Sequence, residues 1–126
     1  EGGDEHVRTV QKISLDGYLR GRELPEPFLL KIDIDGHELQ VIEGAQETLK
    51  RCSVVIVECA AHTLPGRITA VQKAGFTLFD LSEPCYYDQA FWQCDAIFIR
   101  SDLHAAAFKR IGTGPVEAEL YTAFRG

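Results

Sequence analysis

The 126-residue chain contains no methionine, although it has the apolar fraction of an ordinary folded domain, 45%. A full gene product starts with methionine, and this chain opens on Glu1-Gly2-Gly3-Asp4, so a portion of a longer protein is the expectation. Cationic excess is also lacking. Thirteen basic residues face nineteen acidic ones, for a net charge of −6, which argues against a nucleic-acid or anionic-membrane surface. No apolar run is long enough to span a bilayer. The four cysteines, at 52, 59, 85 and 94, match no CxxC or zinc-ribbon spacing. Buried free thiols are the expected state of Cys52 and Cys59, which suits a reducing, cytoplasmic setting. There is no GxGxxG, no phosphate-binding loop and no nucleophile elbow, so no recognised dinucleotide or triphosphate site is present.

What remains is a strand-and-helix pattern centred on residues 29–49, LLKIDIDGHELQVIEGAQETL. Phe28–Asp33 is nearly all apolar and reads as a strand covered on both faces. A turn through Asp35 and Gly36 leads into one amphipathic helix running to about Lys50. Gly44 inside that helix suggests close packing on the sheet. Val54–Cys59 is β-branched and continuous, a central strand. Arg67–Ala74 reads as a short helix ended by Gly75, after a loop holding His62, Pro65 and Gly66. Phe76–Leu81 and Asp95–Arg100 are two more strands. The aromatic stretch 82–93 reads as a loop, and its brevity makes those two strands an antiparallel pair. Upstream, 7–13 can form a strand, Ser14 caps a short helix over 15–19, and 21–27 is a proline-broken loop. Residues 1–6 are polar and expected to be loose. Downstream, a helix over 102–109 capped by Ser101 and a turn at 111–115 are expected, and 116–124 is ambiguous. The whole is a single α/β domain.

Chemistry concentrates at the ends of the two central strands. Asp33 and Asp35 share a face at the tip of the first, and in an open α/β sheet ligands bind outside the carboxyl ends of strands. Such carboxylates can hold a hard cation, take a proton or bond a ligand hydroxyl. Glu38 lies one turn further on. The structural alternative is that Asp35 caps the helix and Glu38 completes its first turn. Glu58 repeats the pattern at the tip of the second strand, with His62 four residues later and His37 in the first turn itself. Either histidine can reach a substrate or simply meet water. His6 and His104 carry no functional signal. The aromatics Tyr86, Tyr87, Phe91 and Trp92 fit either a wall over the site or a plug on the sheet edge.

The string Leu30-Lys31-Ile32-Asp33-Ile34-Asp35-Gly36-His37-Glu38-Leu39-Gln40-Val41-Ile42-Glu43-Gly44-Ala45 resembles the signature of the FkbM-type S-adenosylmethionine-dependent methyltransferases, close to LKIDVEGxExxVLxGA. Asp35 stands where that pattern has glutamate. Ile13–Leu19 is similar to the family's TLDxL segment, and Val54–Glu58, Gly75-Phe76 and Asp95–Phe98 fit its later strands. The resemblance implies a Rossmann-like methyltransferase sheet, mostly parallel with an antiparallel last strand. The cofactor-binding glycine loop would fall before residue 1, making this the C-terminal portion of the domain. It further implies S-adenosylmethionine as cofactor and a small-molecule or sugar hydroxyl as acceptor. Asp33, Asp35 and Glu38 would be catalytic, and His37, Glu58 and His62 would touch the substrate, with no dedicated metal site.

Three other functions stay open on sequence. The Asp33-Ile34-Asp35-Gly36 tetrapeptide also resembles the opening of magnesium-dependent haloacid-dehalogenase-like phosphatases, although a threonine-like residue should then replace His37. A metal-dependent glycosyltransferase could use the same DxD pair. A non-catalytic methyltransferase-like binding or assembly module is the third class. A part-sheet with a bare edge would also favour a homo-oligomer.

Overall fold

The computed structural model describes residues 7–112 and 114–124. The expected loose segment 1–6, with His6, lies outside them. The chain runs α1 (Leu15–Leu19), β1 (Phe28–Ile32), α2 (Glu38–Glu43), α3 (Gln46–Lys50), β2 (Cys52–Ala60), α4 (Leu64–Lys73), β3 (Phe76–Tyr87), β4 (Ala90–Arg100) and α5 (Ser101–Ala107), then a 3₁₀ turn at Ala118–Leu120. Among the described residues the four strands form one sheet in the order β1-β2-β4-β3.

The expected mostly parallel sheet is overturned. Only β1 and β2 pair in parallel, Lys31 beside Ile56, while β2–β4 and β3–β4 are both antiparallel. The last strand enters between β2 and β3 rather than at an edge, so its reversed direction makes two antiparallel contacts instead of one. The expected antiparallel pairing of β3 with β4 is present.

One sheet face is the core. Ile32, Val55, Val57, Ala96 and Phe98 alternate inward and are at most 2% exposed, as period-2 strands require. Ile42, Ala45 and Leu49 of the crossover and Val71 of α4 close over them. Burying each Val, Ile, Leu or Phe side chain among them contributes about 1.5–3 kcal/mol before the entropic cost of ordering it. The other face is more open. β1 is therefore not covered on both sides: Leu29 is 63% exposed, and β1 is an edge strand of the sheet.

The single helix expected to reach Lys50 is two. Gly44 and Ala45 interrupt it, because α1 takes over the local bonds. Asp16 N–H donates to the Gly44 carbonyl at 2.9 Å. The Asp16 carboxylate accepts from the N–H groups of Glu47 and Thr48 and from the Thr48 hydroxyl, at 2.7–2.9 Å, and so caps α3 from 31 residues away. Burial pushes that carboxyl up, but these donors and Lys50 outweigh it and its pKa lies below the ordinary value. Gly44 packs on α1, not on the sheet: a Cβ there would meet Ser14 Cβ at 3.1 Å and the Gln40 carbonyl at 3.4 Å.

Other expectations fare unevenly. Ser14 does cap α1, accepting from Gly17 N–H at 3.0 Å. Residues 7–13 form no strand. Helix α4 starts at Leu64, with Pro65 in its first turn where a missing N–H is harmless. Ser101 lies inside α5, its hydroxyl 2.9 Å from that of Thr77. The aromatic stretch is no loop. β3 and β4 run on as a two-stranded ribbon past the end of β2, turned by Asp88 and Gln89, both at positive φ (47° and 64°). That is the signature of a type I′ hairpin turn.

Candidate active site at the strand tips

The carboxyl ends of β1 and β2 lie side by side because the two strands are parallel neighbours, Ile32 beside Val57. Residues Lys31 and Asp33 therefore project on the same face as Glu58. Asp95 joins them from β4, directly opposite Glu58 in the register. The lysine Nζ lies 3.3 Å from Asp95 and 3.7 Å from Asp33. The hydrogen bond and charge of Asp95 are the main causes of a raised Lys31 pKa; burial opposes them, and Asp33 and Glu58 add to the rise.

Glu58 is the unusual acid. Burial is the first cause of its raised pKa. Asp33, through its charge and a hydrogen bond between the two carboxyls, is the next, with Asp95 and Asp35 adding to it. Carboxyls this close favour a shared proton, which raises the affinity of one of them for it. Sequence reading had Asp33 and Glu58 but missed Lys31 and Asp95. The signal for Asp95 was its place at the start of the last strand, useful only once the register was known.

Glu38 is placed differently. It is 5% exposed at the first position of α2. One carboxylate oxygen accepts from Gly36 N–H at 3.0 Å, and the other accepts from Arg67 Nε and Nη2 at 3.1 and 2.8 Å. Arg67, 9% exposed, reaches it from α4. Burial alone would raise the Glu38 pKa. The N–H groups of the helix start and Arg67 overcome that and hold it below the ordinary value. Gly36, at φ 85°, permits the tight turn that aims its N–H at this carboxylate. Arg67 was not singled out in the sequence, since an arginine on a short helix normally faces water.

Asp35 and His37 are exposed on the same turn. His37 Nδ1 lies 2.6 Å from Gln40 Oε1. His62 is exposed in the turn after β2. Beside the rim, an open groove of about 1120 Å³ runs between α1 and α2, lined by Ile13, Leu15, Tyr18, Leu30, Ile34 and His37 among others. Among the described residues, no group of three or more His, Cys, Asp or Glu is placed to hold a metal ion, and no helix is long and apolar enough to cross a membrane. All four cysteines are free, with 52, 59 and 94 buried and 85 exposed.

The hexuronic acid methyltransferase AglP of Haloferax volcanii is 38% identical over 65 residues, which is 52% of this chain and 27% of that protein. The chain thus spans about a quarter of the length of this curated relative. No solved structure matches. The family model of the methyltransferase FkbM domain matches residues 1–96. By that match, which covers most of the sequence including both acidic strand tips, the chain belongs to the FkbM-domain methyltransferase family.

Proposed function

We propose that this chain forms the acceptor side of an S-adenosylmethionine-dependent O-methyltransferase acting on a hydroxyl of a sugar or other small molecule. The observation that carries the reading is the Asp33–Glu58 carboxyl pair at two adjacent parallel strand tips, inside the stretch that matches the family. The relative named for hexuronic acid supports a sugar acceptor.

The chemistry of the donor set fits the cofactor. A sulfonium is a cation, and exposed Asp35 on the turn at the rim offers it a carboxylate, while Ile34, Leu30 and Tyr18 in the adjoining groove offer apolar surface. When bound, the cofactor supplies an electrophilic methyl group. The protein's part is to position a hydroxyl and accept its proton. A sugar hydroxyl is a weak nucleophile at neutral pH, so a carboxylate within hydrogen-bonding reach that takes its proton speeds transfer by about 10²–10⁴-fold. Glu58, the less exposed of the two, serves as the base, its pKa raised by burial and by its acidic neighbours, and Asp33 orients the hydroxyl. Lys31 offsets the charge left on Asp33 and Asp95. Glu38 has both oxygens committed to Gly36 and Arg67, so it acts as a positioning residue for the Asp35–His37 turn. His37 and His62 flank the rim as acceptor contacts.

Among the described residues β1 has an unpaired edge and exposed Leu29, which supports self-association of this chain, and the free thiols support a reducing, cytoplasmic setting. The net charge of −6 argues against nucleic acid.

The test uses the full-length protein and its Glu58→Gln and Asp33→Asn variants. Cofactor binding is measured by titration, and labelled methyl transfer is followed on a panel of sugars. The expected result is cofactor binding within threefold in all three proteins and turnover reduced about 10²-fold or more in the variants. A folded wild-type protein that binds no S-adenosylmethionine would overturn the reading and leave a non-catalytic binding module.

A further inference from the structure

The β3–β4 ribbon is not used by the chemistry above. It exposes four aromatic side chains next to the rim: Tyr86 (67%), Tyr87 (75%), Phe91 (37%) and Trp92 (50%). They form two ring pairs, Tyr86–Phe91 at 6.1 Å and Tyr87–Trp92 at 6.2 Å between centroids. Consecutive strand residues face opposite ways, so Tyr86 and Tyr87 give each ribbon face one pair. The ribbon is anchored to the site: the Trp92 carbonyl accepts from Ala61 N–H at 2.7 Å, three residues past Glu58. That places Trp92 about 10 Å along the strand direction from the Glu58–Asp95 position, the scale of one or two sugar rings.

Paired aromatics exposed in one stretch form a surface that a ligand can use, and charge selects among the candidates. Residues 82–93 carry two acids, Glu83 and Asp88, and no lysine or arginine. An anionic lipid surface or a nucleic acid would be met without a cation. A neutral pyranose suits the ribbon. Its C–H face packs on the electron-rich face of a ring, and its hydroxyls donate to carboxylates at the rim. A uronic acid would bring a third negative charge to the ribbon and further repulsion from Asp33, Asp35 and Asp95.

We propose that the aromatic ribbon is the platform on which a neutral sugar ring of the acceptor stacks, setting which hydroxyl reaches the carboxyl pair. This rests on the methyltransferase reading and gives it a substrate class distinct from that in the relative's name.

The experiment is saturation-transfer NMR and titration of the full-length protein with maltotriose and with trigalacturonate. Variants are Tyr87→Ala/Trp92→Ala, Tyr86→Ala/Phe91→Ala and the conservative Tyr87→Phe. S-adenosylmethionine binding and the melting curve are recorded in parallel. Maltotriose should bind the wild type and trigalacturonate at least tenfold more weakly. At least one double variant should lose tenfold or more in maltotriose affinity with cofactor binding and melting unchanged, and Tyr87→Phe should stay within threefold of wild type. Preference for trigalacturonate, affinity indifferent to both double variants, or co-sedimentation with phosphatidylglycerol vesicles in place of sugar binding would overturn the inference. Those outcomes with cofactor binding intact leave the methyltransferase reading standing, whereas loss of cofactor binding in the wild type removes that reading.

Discussion

At the scale of single residues, two glutamates in one site are tuned in opposite directions, and pH separates them. Glu58 is raised in the folded protein by burial and by Asp33. Its contribution to stability is therefore present below the ordinary glutamate pKa and lost as pH rises through the raised value. Glu58→Gln should melt higher than wild type at pH 7–8, and the difference should vanish by about pH 4 in a thermal-melt series. Glu38 is lowered, because the helix-start N–H groups and Arg67 outweigh its burial. Its contribution is present above the ordinary pKa and lost as pH falls through the lowered one. Removing the partner leaves a charge in a nearly closed site. Arg67→Ala should cost about 3 kcal/mol in denaturant unfolding at neutral pH, and less in acid.

At the scale of elements, α1 holds the crossover together although it is only five residues long. Asp16→Ala removes three acceptor contacts from the start of α3. It should cost about 1–2 kcal/mol, read as a shift in the denaturation midpoint. Gly44→Ala tests the same junction. Alanine gains about 1 kcal/mol in a free helix, but here its Cβ presses on Ser14. Ser14 is pinned by its bonds to Gly17 and Tyr18. The variant should be no more stable than wild type. These contacts explain what sequence could and could not show. The acidic tips of β1 and β2 were legible because apolar runs ending in Asp33 and Glu58 announce themselves by periodicity. The break at Gly44 was not, since its cause, Asp16, lies 28–32 residues upstream of the groups it bonds and leaves no local mark. The ribbon was misread because its turn uses Asp88-Gln89 with no glycine, so the usual hairpin signal was absent while Tyr, Phe and Trp fitted a wall or a plug carried on a loop.

At the scale of the molecule, the strand order was the part that sequence left furthest from reach. Nothing in Asp95–Arg100 says that it lies between β2 and β3; only the two-sided pairing does. The exposed edge is a whole-molecule matter too. β1 carries a single charge, Lys31, and presents Leu29 to water, a weak defence for an edge strand. The 14.0 kDa chain expressed alone should elute as a larger species in size-exclusion chromatography with light scattering. Leu29→Glu should shift it toward monomer.

The inserted last strand also dictates an order of events during synthesis. β3 is joined to the sheet through β4, which pairs with β2 across Cys59–Cys94 and with β3 across Thr77–Ile99. Until residues 90–100 follow β3 out of the ribosome, β2 and β3 have an empty slot between them, and both slot-facing edges offer unpaired backbone to any passing strand. At about 5–20 residues per second, that window lasts about a second. The chain is most in need of a chaperone then, and a released product truncated before Ala90 should aggregate more readily than one that runs past Arg100.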